Sequence, residues 1–161
     1  MTTDPKDATT TLIVGYSNDA AGDHALAVAA DLGRRLPARI HVVHVVDIHD
    51  YPVDSDTAGW EEQCRQELAE QRGRVAHMLT DLELDWTYEA RRGDPAAELA
   101  QAAEEQDALL IVVGTRGEGL RLVIPRLVEP SVSHGVIHCQ PRPVVVVPAP
   151  ETHPGTAPVD S

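Results

Sequence analysis

Leu109, Leu110, Ile111, Val112, Val113, Gly114, Thr115, Arg116, Gly117, Glu118 and Gly119 form the stretch whose reading decides the fold. An unbroken apolar run of this kind reads as a strand buried on both faces, because an exposed face would show alternation. It stops abruptly at a glycine. Glycines at the carboxyl end of a strand let backbone N–H groups approach a bound group with no side chain between them, and such N–H groups form a concave anion site. The same glycines also suit an ordinary tight turn.

Outward from this strand the chain alternates between two periods. Thr11 to Gly15 reads as a first strand, and the short polar side chains of Ser17, Asn18 and Asp19 suit a turn and a helix start. Ala21, Ala25, Val28, Ala29, Leu32 and Leu36 then fall on one helical face, which Pro37 ends. Ile40 to Val46 is a second apolar strand. After a polar loop containing His49, Asp50, Asp54 and Asp56, the spacing of Trp60, Cys64, Leu68, Gln71, Val75 and Met78 or Leu79 predicts a long amphipathic helix. Leu82 to Ala90 alternates as a half-exposed edge strand does. Gly93, Asp94 and Pro95 predict a helix start, with Asp94 as the cap and Pro95 at the first helical position. Beyond the glycine run, a helix beginning near Pro130 or Ser131 leads to Val144–Val147, read as a last buried strand.

Strands and helices alternating at these lengths predict an α/β fold, a parallel sheet with helices on both faces. The domain is expected to span 11–148, with 1–10 and 149–161 as loose tails. In such sheets ligands sit beyond the carboxyl ends of strands, where the strand order reverses. That rule gathers Tyr16 and Ser17, the Val45 to Asp47 end, and the Gly114 loop on one rim.

Composition limits what such a rim serves. The 161 residues carry a formal net charge of -13, which argues against nucleic acid or an anionic membrane as partner. Phenylalanine is absent, so the core is filled by valine, leucine, isoleucine and alanine. Cys64 and Cys139 are too few for a disulfide framework, and neither a signal-peptide pattern nor an apolar run of transmembrane length is read, so a reducing cytoplasm is the expected location.

The opening strand with its alanine-rich helix, the His44, Val45, Val46, Asp47 strand end, the Gly93, Asp94, Pro95, Ala96 turn and the run from Ile111 through Gly117 together resemble the universal stress protein family. Pro141, Arg142 and Pro143 before a valine strand are similar to the family's usual ending. The resemblance implies a flavodoxin/Rossmann-like three-layer α/β/α sandwich on a five-stranded parallel sheet, the adenine nucleotide alpha hydrolase-like fold. It also implies a cytoplasmic homodimer, commonly joined through the last strand, and ATP, with magnesium, as ligand. The family's nucleotide motif places two glycines two residues apart, then nine residues, then a glycine followed by serine or threonine. Gly114 and Gly117 match its first half. Its second half departs: the best alignment sets Pro130, Ser131, Val132 and Ser133 where Gly-Ser-Val-Ser is usual, and Pro130 has no N–H to give a phosphate. Ser17 stands where nucleotide binders commonly carry aspartate. On this alignment the nucleotide-binding residues are Tyr16, Ser17, Val45, Val46, Gly114, Thr115, Arg116, Gly117, Gly119, Ser131, Val132 and Ser133. The departures keep open a second reading, a nucleotide-independent dimeric interaction protein of the same family.

Catalysis finds little support in the residues. Phosphoryl transfer uses a lysine or several arginines with a carboxylate-held magnesium, and Lys6, the only lysine, falls in the expected amino-terminal tail. A non-enzymatic protein is therefore expected. His134, His138 and Cys139 have a spacing sterically compatible with a metal, but no partner carboxylate is placed by sequence. His41 and His44, three apart on a strand, are expected to face opposite ways. Cys64, on the apolar stripe of its helix, is read as core.

Overall fold

The computed structural model describes residues 9–46, 59–115, 135–137 and 140–148. Its elements are β1 (Thr10–Gly15), α1 (Ala20–Arg35), β2 (Ala38–Val46), α2 (Trp60–Leu79), β3 (Trp86–Arg92), α3 (Pro95–Glu105), β4 (Leu110–Gly114) and β5 (Val144–Val147). The strands form one sheet in the order β3-β2-β1-β4-β5, every neighbouring pair parallel. Gly15 pairs with Val43 on one side and with Val113 on the other. Strand order therefore reverses between β1 and β4, as the rim placement requires.

Alternation of side chains sorts the core into two layers. Leu12, Val14, Ile40, Val42 and Val112 meet α1 and α2, with Ala25, Leu26, Ala29, Val75 and Leu79 buried against them. Ile13, Val43, Ile111 and Val113 turn the other way and meet Leu99, Ala102 and Ala103 of α3 and Val136. The α/β/α sandwich is thus built from small helical residues on branched strand residues, which compensates for the missing phenylalanine.

Three local expectations need correction. The buried face of α1 is Ala21, Gly22, Ala25, Leu26, Ala29, Ala30 and Gly33, rotated from the expected stripe, while Leu36 is exposed. The rotation follows from close approach: a Cβ on Gly33 would lie 2.8 Å from Ile40 Cδ1, so the helix seats Gly33 on the sheet, with Leu26 and the alanines buried beside it. The third strand begins at Trp86, four residues later than the alternation suggested, because Thr80–Leu82 form a 3₁₀ turn and Glu83 takes a left-handed conformation with φ 52°. Finally, β5 is an edge strand whose Val146 is exposed, not a strand buried on both faces.

Elsewhere the local chemistry acts as read. Asp94 accepts a hydrogen bond from the Ala97 N–H at 2.9 Å, with Pro95 at the start of α3. Cys64, read as core, is instead only half-buried. The acidic loop around Asp50, and His134, His138 and Cys139, lie outside the described residues.

Candidate functional site

At the carboxyl ends of the strands the structure brings together Tyr16 and Ser17 after β1, Val45 and Val46 at the end of β2, and Gly114 and Thr115 at the end of β4. Arg116, Gly117, Gly119, Ser131, Val132 and Ser133 lie outside the described residues.

Gly114 allows a close approach on this rim. A Cβ there would lie 2.8 Å from the Ala21 carbonyl oxygen and 3.1 Å from its carbon, so only glycine lets the amino-terminal turn of α1 rest on the end of β4. That helix start is already occupied. Asp19 caps it, accepting from the Gly22 N–H at 2.7 Å and from the Ser17 hydroxyl at 2.8 Å. An anion gains little from an N-terminus that holds its own carboxylate. The Thr115 N–H is also committed, to the Val147 carbonyl at 2.9 Å.

Tyr16 is placed as a buried strut. Its side chain is 3% exposed, its N–H donates to the Val43 carbonyl at 2.9 Å, and its hydroxyl donates to Asp23 Oδ1 at 2.8 Å. Arg74 of α2 pairs with the other Asp23 oxygen and reaches Asn18 Oδ1 at 3.4 Å. Burial, and then the hydrogen bond to Asp23, push the Tyr16 hydroxyl far above its ordinary ionisation range. The Asp23 hydrogen bond also raises the Arg74 guanidinium. This tie between α1, α2 and the first rim loop was missed in the sequence; Asp23 and Arg74 are 51 positions apart and neither stands in a motif.

His41 and His44 do face opposite ways. His44 Nδ1 lies 3.0 Å from the Tyr16 carbonyl, on the α2 side, and His41 bonds to Thr87 and Glu89 on the α3 side. Below His44, the buried Gln71 accepts from the Tyr88 hydroxyl at 2.7 Å and reaches His44 Nδ1 at 3.2 Å. Burial pushes the Tyr88 hydroxyl up to about 12. The folded state therefore holds this proton more tightly than the unfolded chain, whose tyrosines ionise near pH ~10. Its stabilising contribution is complete below that pH and is lost as pH rises to about 12. The urea midpoint is expected to fall across this interval, and less steeply in Tyr88→Phe; a midpoint indifferent to pH there would contradict the assignment.

Among the described residues no group of three histidine, cysteine or acidic side chains is arranged to hold a metal. None of the described helices is long and apolar enough to cross a membrane.

Comparison with known proteins agrees with this architecture. UspA from Lactobacillus plantarum superposes with a TM-score of 0.69 at 20% identity, covering 88% of this chain and 99% of that one. A universal stress protein from Archaeoglobus fulgidus solved in complex with dAMP superposes with a TM-score of 0.59 at 20% identity, covering 86% of this chain and 97% of that one. In sequence, the chain is 28% identical over 145 residues to the universal stress protein Rv2319c of Mycobacterium tuberculosis, covering 86% of this chain and 48% of that protein. The chain thus spans about half the length of the mycobacterial relatives it matches. The Universal stress protein family itself matches residues 9–148, and the chain belongs to that family.

Proposed function

We propose that this chain is a stress-response module that holds an adenosine nucleotide on the carboxyl-end rim of its sheet and does not turn it over. The observation that carries the reading is the reversal of strand order between β1 and β4, with Gly114 at the mouth of the opening. The base and ribose belong beside Ser17 and the Val45 and Val46 strand end. The phosphates, as ATP with magnesium, belong to Gly117, Gly119 and the Ser131–Ser133 segment, with Arg116 supplying charge. The dAMP bound by the Archaeoglobus relative supports an adenine nucleotide as the class of ligand. Two copies of the chain pair through β5, an open edge bearing Val146.

The test is calorimetric titration of nucleotide-stripped protein with magnesium ATP and with dAMP. Micromolar binding is expected, weakened at least ~10-fold by Gly117→Val, a loss of about 1.4 kcal/mol. Absence of heat with both nucleotides would reject the reading. It would leave the nucleotide-independent dimer, which the bond between the Ser17 hydroxyl and Asp19 favours, since the one proton that hydroxyl can donate is then committed within the protein.

A further inference from the structure

On the α3 side of the sheet, away from the rim, β2 and β3 place three side chains in line. His41 is paired in register with Thr87. Its Nδ1 lies 2.6 Å from Thr87 Oγ1 and its Nε2 lies 3.0 Å from Glu89 Oε2. The histidine side chain is 8% exposed, whereas Thr87 is exposed on the edge strand. Chemistry fixes the protons. The Glu89 carboxylate is paired with Arg91, whose Nε lies 2.9 Å from its Oε1, and a carboxylate paired with a guanidinium can only accept. His41 Nε2 must then carry the ring proton of the neutral imidazole, which leaves the Nδ1 lone pair to accept from the Thr87 hydroxyl. Arg91 is itself fixed by Glu98 and Glu105 of α3. The base is thus oriented by a carboxylate that is anchored in turn.

We propose that Thr87, His41 and Glu89 form an activated hydroxyl that accepts an acyl group from small activated esters. Nucleophile, base and orienting acid stand within hydrogen-bond reach of one another, the arrangement that acyl transfer requires. An oxyanion donor is also available. Among the described residues β3 pairs only with β2, and the Asp85 carbonyl and Gly93 N–H both bond to β2. Strand alternation then turns the N–H of Tyr88, the residue after the nucleophile, toward the open edge. In the step, Thr87 Oγ attacks the carbonyl carbon and passes its proton to His41 Nδ1. The ester C–O bond breaks, its electron pair leaves with the alcohol oxygen, and that oxygen takes the proton from His41. Acyl-Thr87 and neutral His41 remain.

The experiment incubates the full chain with p-nitrophenyl acetate, follows nitrophenolate release, and locates the acetyl group by peptide mass spectrometry. A stoichiometric burst with acetyl on Thr87 is expected, about 100-fold faster than on unassisted hydroxyls, as general-base help supplies. Thr87→Ser should keep the burst, and Thr87→Val should abolish it. His41→Gln should also abolish it. Because that variant removes a buried ring, Glu89→Gln gives the second check, an expected drop of about 10-fold with the fold intact by circular dichroism. No burst, acetyl on other residues alone, or a Thr87 rate indifferent to Glu89→Gln would each overturn the proposal. The last outcome would mark a purely structural triad.

Discussion

Gly22→Ala melts on the order of 10 °C below the parent protein, a loss of about 3 kcal/mol. The number follows from what stands over the glycine. A Cβ on Gly22 would lie 1.8 Å from the Ser17 carbonyl oxygen, 2.7 Å from its carbon and 2.8 Å from its nitrogen. All three are backbone atoms, so no side-chain rotation relieves the overlap. The Ser17 turn cannot simply withdraw either, because the Asp19 N–H bonds back to the Ser17 carbonyl at 2.8 Å and Asp19 caps the helix. Helix propensity predicts the opposite sign, a gain of about 1 kcal/mol for alanine over glycine in a helix interior. Gly73 isolates that term. It lies in α2 with nothing within 4 Å of a Cβ, so Gly73→Ala should stabilise by about 0.5–1 kcal/mol. Thermal melts of the two variants side by side check the argument, and a Gly22→Ala melt at or above the parent's would refute the packing account.

The contrast between those glycines also marks where sequence reading succeeds. Strand β4 and the Asp94–Pro95 start of α3 were legible because each is decided within a few residues: an unbroken apolar run, and a capping side chain with its own N–H partner. The parallel sheet followed from alternation of elements. The face of α1 was not legible, because apolar size points to Leu32 and Leu36 whereas close approach selects Gly22 beneath the Ser17 turn and Gly33 against Ile40 of the sheet. Hydropathy cannot express that preference. At the rim, the residues around Gly114 were named on the family resemblance, and the commitments of their neighbours could not be read from the sequence. That the Thr115 N–H belongs to Val147, and that the Tyr16 hydroxyl belongs to Asp23, depends on contacts that only the folded chain makes. The His41, Thr87 and Glu89 alignment is of the same kind, since strand register alone brings residues 46 and 48 positions apart into line.

Gly15 and Leu99 give the second large effect, and one in which two losses should partly cancel. Leu99 of α3 is 2% exposed and packs in the layer with Ile13, Val43 and Ile111, so Leu99→Ala should cost about 3 kcal/mol in urea unfolding. Gly15 closes β1 immediately before the rim. A Cβ there would meet Leu99 Cδ1 at 2.9 Å, Val113 Cγ1 at 3.2 Å and Leu99 Cδ2 at 3.3 Å. These are side-chain atoms in a filled core, so Gly15→Ala alone should cost about 1–2 kcal/mol through overpacking. With Leu99 truncated, two of the three obstructing atoms are gone and the new methyl enters the space they leave. Gly15→Ala in the Leu99→Ala background should then be close to neutral, a coupling of about 1 kcal/mol or more between the sites. Strict additivity would place the cost of Gly15→Ala in the strand backbone itself. Coupling of the expected sign would instead show that the end of β1, and with it the position of Tyr16 and Ser17 on the rim, is set by how α3 packs beneath it.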